Sequence, residues 1–189
     1  IIINDLKNNP DLETTKTEIL NEDVSCSTIT TDVSKRDECE MLVDEISTKK
    51  TSIDILISNP ALSIREDFLK QSPKDFERII QTTLISGFHI SQLVAQAMVN
   101  EGTRGKILFI SSVHAEMPFA QSAAYGCAKA GLNHLVKTIS VELSKYKINV
   151  NAIQPGWIET PGEYVQAEIR VENPTQSEEL LPLREGARH

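Results

Sequence analysis

Tyr125 and Lys129 stand four residues apart in AQSAAYGCAKAGLNHL (residues 120–135), a stretch otherwise rich in small side chains. On a helix, residues at that spacing share a face. A phenol with a reference pKa of about 10 is a poor base near neutrality. An adjacent ammonium favours the phenolate and lowers that pKa, so the pair can exchange a proton with a carbonyl/alcohol couple. Ser111 and Ser112 close the preceding apolar run, ILFISS, and a hydroxyl there can hold the oxygen that gains or loses the proton. YxxxK alone recurs by chance, and a helical tyrosine commonly just seats its ring at the edge of a core. The chemical reading rests on the whole arrangement: strand-Ser-Ser, a short loop, YxxxK opening a long helix, then a strand ending in Pro155-Gly156.

The elements that must position these residues follow from the pattern around them. Short apolar runs (IIIN, VSCSTIT, IDILIS, KILFISS, KINVNAIQPG) alternate with longer segments of helical period. Cys39, Leu42, Val43 and Ile46 fall on one face of SKRDECEMLVDEISTKK. Ser72-Pro73 reads as an N-cap and first position of one long helix reaching about Asn100. The continuous run IDILIS suits a strand buried on both faces. Such alternation predicts a doubly wound α/β fold, with a mostly parallel sheet covered on both sides. In that architecture ligands collect outside the carboxyl ends of the strands, where Ser112 lies. No internal repeat or linker interrupts the chain, so a single domain over 1–189 is expected.

Composition narrows the function classes. Among 189 residues, 27 acidic against 19 basic side chains give a net charge of -8, which argues against a nucleic-acid partner. Three scattered cysteines without a CxxC pair argue for reduced thiols in a cytoplasmic setting and against a zinc site or any other metal centre. No apolar run reaches the length of a membrane span.

The segment FISSVHAEMPFAQSAAYGCAKAGLNHLVKTISVEL, followed by INVNAIQPGWIETP, resembles the short-chain dehydrogenase/reductase family, and the resemblance runs from Ile1 to about Leu183. Some of it is similar to glucose dehydrogenases and 3-oxoacyl reductases. By position it implies Ser112, Tyr125 and Lys129 as catalytic residues, with Thr83 where the family usually has the asparagine of its tetrad. It implies a nicotinamide cofactor held by Asp5, Asp32, Val33, Asn59, Tyr125, Lys129, Pro155, Gly156, Ile158 and Thr160. Asp5, at the end of the first strand, would accept from the ribose hydroxyls and repel a 2'-phosphate, so NAD is expected and NADP is the alternative; Lys7 nearby works against that preference. A strand-end turn is the plainer role for Asp5, and a helix cap the plainer role for Asp32. The family implies a small-molecule alcohol or ketone substrate and a homodimer or homotetramer.

Three departures weaken the resemblance. Ser58-Asn59-Pro60-Ala61 replaces the family's Asn-Asn-Ala-Gly, removing a backbone donor and adding a methyl. Thr83 replaces asparagine. The family's first strand with its glycine-rich, pyrophosphate-binding turn is not found, and its last strand is missing too. In the family's strand order that first strand lies mid-sheet, so the strands near Ile1 and Val24 should lose their bridge to the one near Ile53. The chain is therefore expected to be a fragment, whose reading frame continues upstream by about 30 to 35 residues. The same departures keep a second reading open, a non-catalytic interaction protein on this fold.

Overall fold

The computed structural model describes residues 1–7, 9–49, 52–156 and 158. Ile1–Gln154 form one compact unit, and Pro155–His189 belong to another. Thr160 lies outside the described residues.

Five short strands form two parallel sheets. β1 (Ile2–Asp5) pairs with β2 (Ser27–Thr30), and β4 (Lys106–Ile110) lies between β3 (Ile55–Ser58) and β5 (Asn149–Ile153). Among the described residues no strand joins the two sheets, so the break expected from the sequence falls between β1 and β3. Within each sheet the chain passes from one strand to its parallel partner through a helical crossover, as parallel pairing requires. The helices are α1 (Asp11–Asn21), α2 (Arg36–Thr48), α3 (Pro73–Ile80), α4 (Ser86–Glu101) and α5 (Ala123–Leu143).

Helical period does what the sequence promised in α2, which buries Cys39, Leu42, Val43 and Ile46. They join Val94 and Met98 of α4, Ile107 and Phe109 of β4, and Leu132 and Val136 of α5 in one core. Ser72 caps α3 by accepting from Asp75 N, with Pro73 in the first turn, as read.

The single long helix expected from Pro73 onward is corrected. It is interrupted by a π-helical turn at Gln81–Ile85, where Ser86 N reaches back to Gln81 O. One extra residue per turn widens the ladder, a device common at functional sites. Its periodicity is lost among flanking apolar residues, which is why the pattern alone did not show it. No described helix is long and apolar enough to cross a membrane, and no described His, Cys, Asp or Glu cluster could hold a metal.

The exposed face of β3 is apolar, with Ile55 and Ile57 at 59% and 62% exposure, whereas Phe109 on β4 is fully buried. Replacing Ile57 with Lys should therefore change stability by no more than about 0.5 kcal/mol and reduce binding of an apolar dye. Phe109→Ala should cost about 3–5 kcal/mol. Urea denaturation of both variants checks the contrast.

Candidate active site

Lys129 decides the geometry. It is 1% exposed, yet no carboxylate among the described residues pairs with it. Its Nζ donates to the carbonyl of Ile110 at 2.6 Å, at the carboxyl end of β4, and sits 5.6 Å from the centre of the Tyr125 ring. Burial pushes the ammonium down from its usual 10.5 to about 8. The spacing read from the sequence is thus realised: both residues lie in α5, with Tyr125 in its first turn and Lys129 one turn further on.

Ser111 and Ser112 follow Ile110 directly, and both are buried. Ser112 Oγ accepts from His114 N at 3.2 Å, closing a short 3₁₀ turn (Val113–Ala115). That turn brings the His114 ring edge-on to Tyr125, with centroids 5.4 Å apart, and flat against Phe119 at 4.1 Å. An aromatic wall therefore flanks the phenol. A cavity of about 340 Å³ opens beyond this wall, lined by Glu116, Met117, Phe119 and Cys127 among others. Ser112, Tyr125 and Lys129 do not line it.

Thr83 is buried inside the π turn, and its hydroxyl works twice on one residue. Oγ1 accepts from Leu62 N at 3.0 Å and donates to Leu62 O at 3.4 Å. This fixes the loop that leaves β3 through Asn59 and Pro60. Gln81 of the same turn donates to Ser34 O at 2.6 Å, reaching the loop after β2. Leu84 closes on Gly131 of α5, where a Cβ would meet it at 2.9 Å. The small residues of α5 thus admit a second helical segment at Gly131.

The residues expected around an adenosine are engaged locally. The Asp5 carboxylate accepts from Leu6 N at 2.6 Å and from Asn9 Nδ2 at 2.7 Å, the strand-end turn anticipated as its plainer role. Asp32 accepts from both Ser34 N and Ser34 Oγ ahead of α2. Burial alone would raise its pKa, but the Ser34 bonds and the Lys35 charge outweigh that and hold it low. Val33 packs against the core, and Asn59 is exposed. Pro155, Gly156 and Ile158 belong to the second unit, and nothing in Ile1–Gln154 places them.

Two features had no signal in the sequence. Ser58, at the end of β3, and Ser111, just past β4, carry buried hydroxyls without a hydrogen-bond partner. Such orphans each cost roughly 1–3 kcal/mol unless a ligand or water satisfies them. Gln121, just ahead of α5, adopts a left-handed backbone with φ of 60°.

Residues 2–169 match the family model described as short chain dehydrogenase, and the chain belongs to that family. It is an α/β oxidoreductase relative with the family's Rossmann-type parallel architecture. It is 29% identical over 177 residues to the oxidoreductase YohF of Escherichia coli K12, spanning 93% of this chain and 68% of that protein. It is 36% identical over 128 residues to a 2-dehydro-3-deoxy-D-gluconate 5-dehydrogenase of Formosa agariphila, spanning 68% of this chain and 48% of that enzyme. Among solved structures, a gluconate 5-dehydrogenase of Burkholderia cenocepacia J2315 in complex with NADP and tartrate matches with a TM-score of 0.80 at 28% identity, over 89% of this chain and 65% of that one. The chain thus spans about half to two thirds of the length of these relatives.

Lys129 carries a pH signature. Its folded pKa of about 8 lies below the usual 10.5, so between those values the unfolded chain binds more protons. Stability therefore rises as pH climbs from 8 towards 10.5, and the burden of the charged form is full below 8. From 10.5 to about 8 the burden is on the order of 3 kcal/mol. Lys129→Met should raise the melting temperature at pH 7 and abolish the rise above pH 8, as followed by calorimetry.

Proposed function

We propose that this chain carries the reaction centre of an oxidoreductase that interconverts a secondary alcohol and a ketone using a nicotinamide cofactor. One observation carries the reading: a buried ammonium, without a counter-charge among the described residues, is held against a tyrosine ring at the carboxyl end of β4, beside Ser112. Folding gains nothing from such a group. The cofactor fits the residues present, because the orphaned hydroxyls of Ser58 and Ser111 face no protein partner at the strand ends where ligands bind in this fold. When bound, it supplies the hydride acceptor or donor.

The chain's own residues do the rest. Ser112 donates a hydrogen bond to the substrate oxygen. In the oxidative direction Tyr125, as phenolate, takes the hydroxyl proton, and in reduction the phenol returns it to the carbonyl oxygen. Lys129, with one N–H committed to Ile110 O, keeps further donors for ribose hydroxyls and favours the phenolate. Thr83 acts at a remove, positioning the Asn59–Leu62 loop at the cofactor's edge. On the adenosine side Asp5, Asp32 and Val33 are proposed contacts, and Pro155, Gly156, Ile158 and Thr160 are assigned to the nicotinamide by family position alone.

NAD is the preferred cofactor on the strength of Asp5, and NADP, which accompanies the Burkholderia enzyme, is the alternative. Phe88 and Val141, 40% and 74% exposed on α4 and α5, support a homodimer or homotetramer built on those helices. A cytoplasmic location is proposed from the cysteine usage. The second reading, a non-catalytic interaction protein, draws support from the unbridged sheets and from Pro60-Ala61. Titrating the chain with NADH by calorimetry separates the two, with stoichiometric binding expected for the enzyme.

Tyr125→Phe should lower kcat by roughly a hundredfold or more with cofactor affinity retained; near-normal turnover would remove Tyr125 as the proton carrier. Asp5→Ala should raise kcat/KM for NADP relative to NAD, measured with one alcohol substrate. An unchanged ratio would leave Asp5 with its turn role alone.

A further inference from the structure

Three described non-glycine residues have positive φ: Asp23, Gln121 and Lys147. Asp23 and Lys147 follow helical segments, where a left-handed residue ends the ladder. Gln121 instead precedes a helix, and helix termination does not explain it. Strain of this kind persists where surrounding contacts over-determine the backbone.

Those contacts are on both sides of the residue. The Gln121 side chain donates from Nε2 to Asp67 Oδ1 at 3.0 Å, and its carbonyl accepts from Glu66 N at 3.2 Å. Asp67 is a firm anchor: its own carbonyl accepts from Lys70 N at 2.8 Å and Gln71 N at 2.9 Å, and its carboxylate pairs with Lys70 at 3.4 Å. The loop that holds Asp67 is pinned at Leu62 by Thr83 and ends at the Ser72 cap. On the other side, Ser122 supplies no side-chain cap to α5, although Gly126 N already bonds to Ser122 O at 2.8 Å. The direction in which α5 starts is therefore set by Gln121, four residues before Tyr125. Lys129, a turn further on, has its own anchor in the Ile110 carbonyl.

We infer that Gln121 is a positioning residue, latched to Asp67 and Glu66 so that the first turn of α5 presents Tyr125 to the substrate oxygen. The inference rests on the proposed role of Tyr125. Because Lys129 is anchored independently, loosening the latch acts on proton exchange and spares cofactor binding.

The test uses Gln121→Ala, Asp67→Ala, their combination, and the exchange of partners Gln121→Glu with Asp67→Asn, which restores one donor and one acceptor. Turnover is followed with gluconate, acetoin and cyclohexanol and either cofactor, and amide hydrogen exchange is followed over residues 123–126. Each alanine variant should lower kcat roughly tenfold to a hundredfold with the cofactor KM unchanged. The pair should be no slower than the single variants, the partner exchange should recover most of the loss, and exchange over 123–126 should follow the same order. A fall in melting temperature with kcat and exchange unchanged would reduce Gln121 to a structural residue and overturn the inference. If the wild-type chain turns over none of the alcohols but Gln121→Ala still accelerates exchange at 123–126, the latch stands and the enzymatic reading fails. Absence of both effects ends the latch.

Discussion

The buried ammonium of Lys129 governs how this molecule is put together around its site. A lysine at 1% exposure must satisfy its donors or lose its charge, and the Ile110 carbonyl at 2.6 Å is the partner the fold offers. That carbonyl is the last of β4, so the bond ties α5 to the central strand of its sheet at the end where Ser111 and Ser112 emerge. Ala124, Ala128 and Leu132 on the neighbouring face are fully or nearly fully buried, which keeps the helix close enough for the bond to form. Tyr125 is then placed by α-helical geometry, one turn before the lysine.

With the strands in two sheets, side chains do part of what a continuous hydrogen-bonded ladder does elsewhere. Arg36 of α2 donates to Gln92 of α4 at 2.7 Å, and α2 shares its buried face with α4 in the common core. At the carboxyl ends, the π turn holds the loop after β2 through Gln81 and the loop after β3 through Thr83. One widened turn thereby aligns loops from both sheets. An unbroken α-helix would present these side chains at a different rotation, so the interruption between α3 and α4 is a structural requirement as well as a local distortion.

Much of this can be read from the residues. Period-3.6 burial in α2, the Ser72-Pro73 start of α3, the five strands and the Tyr125–Lys129 face all follow from spacing, because each depends on contacts within a few residues or on simple alternation. The break between β1 and β3 was foreseeable from the family's strand order. What escaped depends on distant partners. The Gln81 bond from the π turn to Ser34, the double use of the Thr83 hydroxyl on Leu62 and the latch at Gln121 join segments 47, 21 and 54 residues apart, and the orphaned hydroxyls of Ser58 and Ser111 are defined by what the rest of the fold leaves around them. No local pattern distinguishes a threonine that clamps a loop from one that merely tolerates a helix. Asp5 shows the reverse case, its hydrogen bonds displaying the modest turn role its type suggests, whereas Asp32 bonds to Ser34 in a local turn and does not cap α2, whose N-cap is Lys35.

Several features that cost stability lie close to Tyr125. Lys129 is buried without a counter-charge, Ser58 and Ser111 leave hydroxyls unpaired, and Gln121 holds a left-handed backbone without glycine's freedom. The lysine and both serines lie at the carboxyl ends of adjacent strands or on the helix packed against them, and Gln121 launches that helix. The core shared by α2, α4 and the middle of α5 is built mainly from Val, Leu, Ile, Met and Phe, although His89 Nδ1 on α4 and Asn133 Oδ1 on α5 are also buried without a partner. A sequence shaped for stability alone would place Met at 129 and Ala at 58 and 111, and would put Gly or Asn at 121. Natural chains keep such local violations chiefly where function needs them. Lys129, Ser58 and Ser111 lie at the carboxyl ends of β3 and β4 or on the helix packed there, beside Tyr125, which is where the proposed proton exchange would need them.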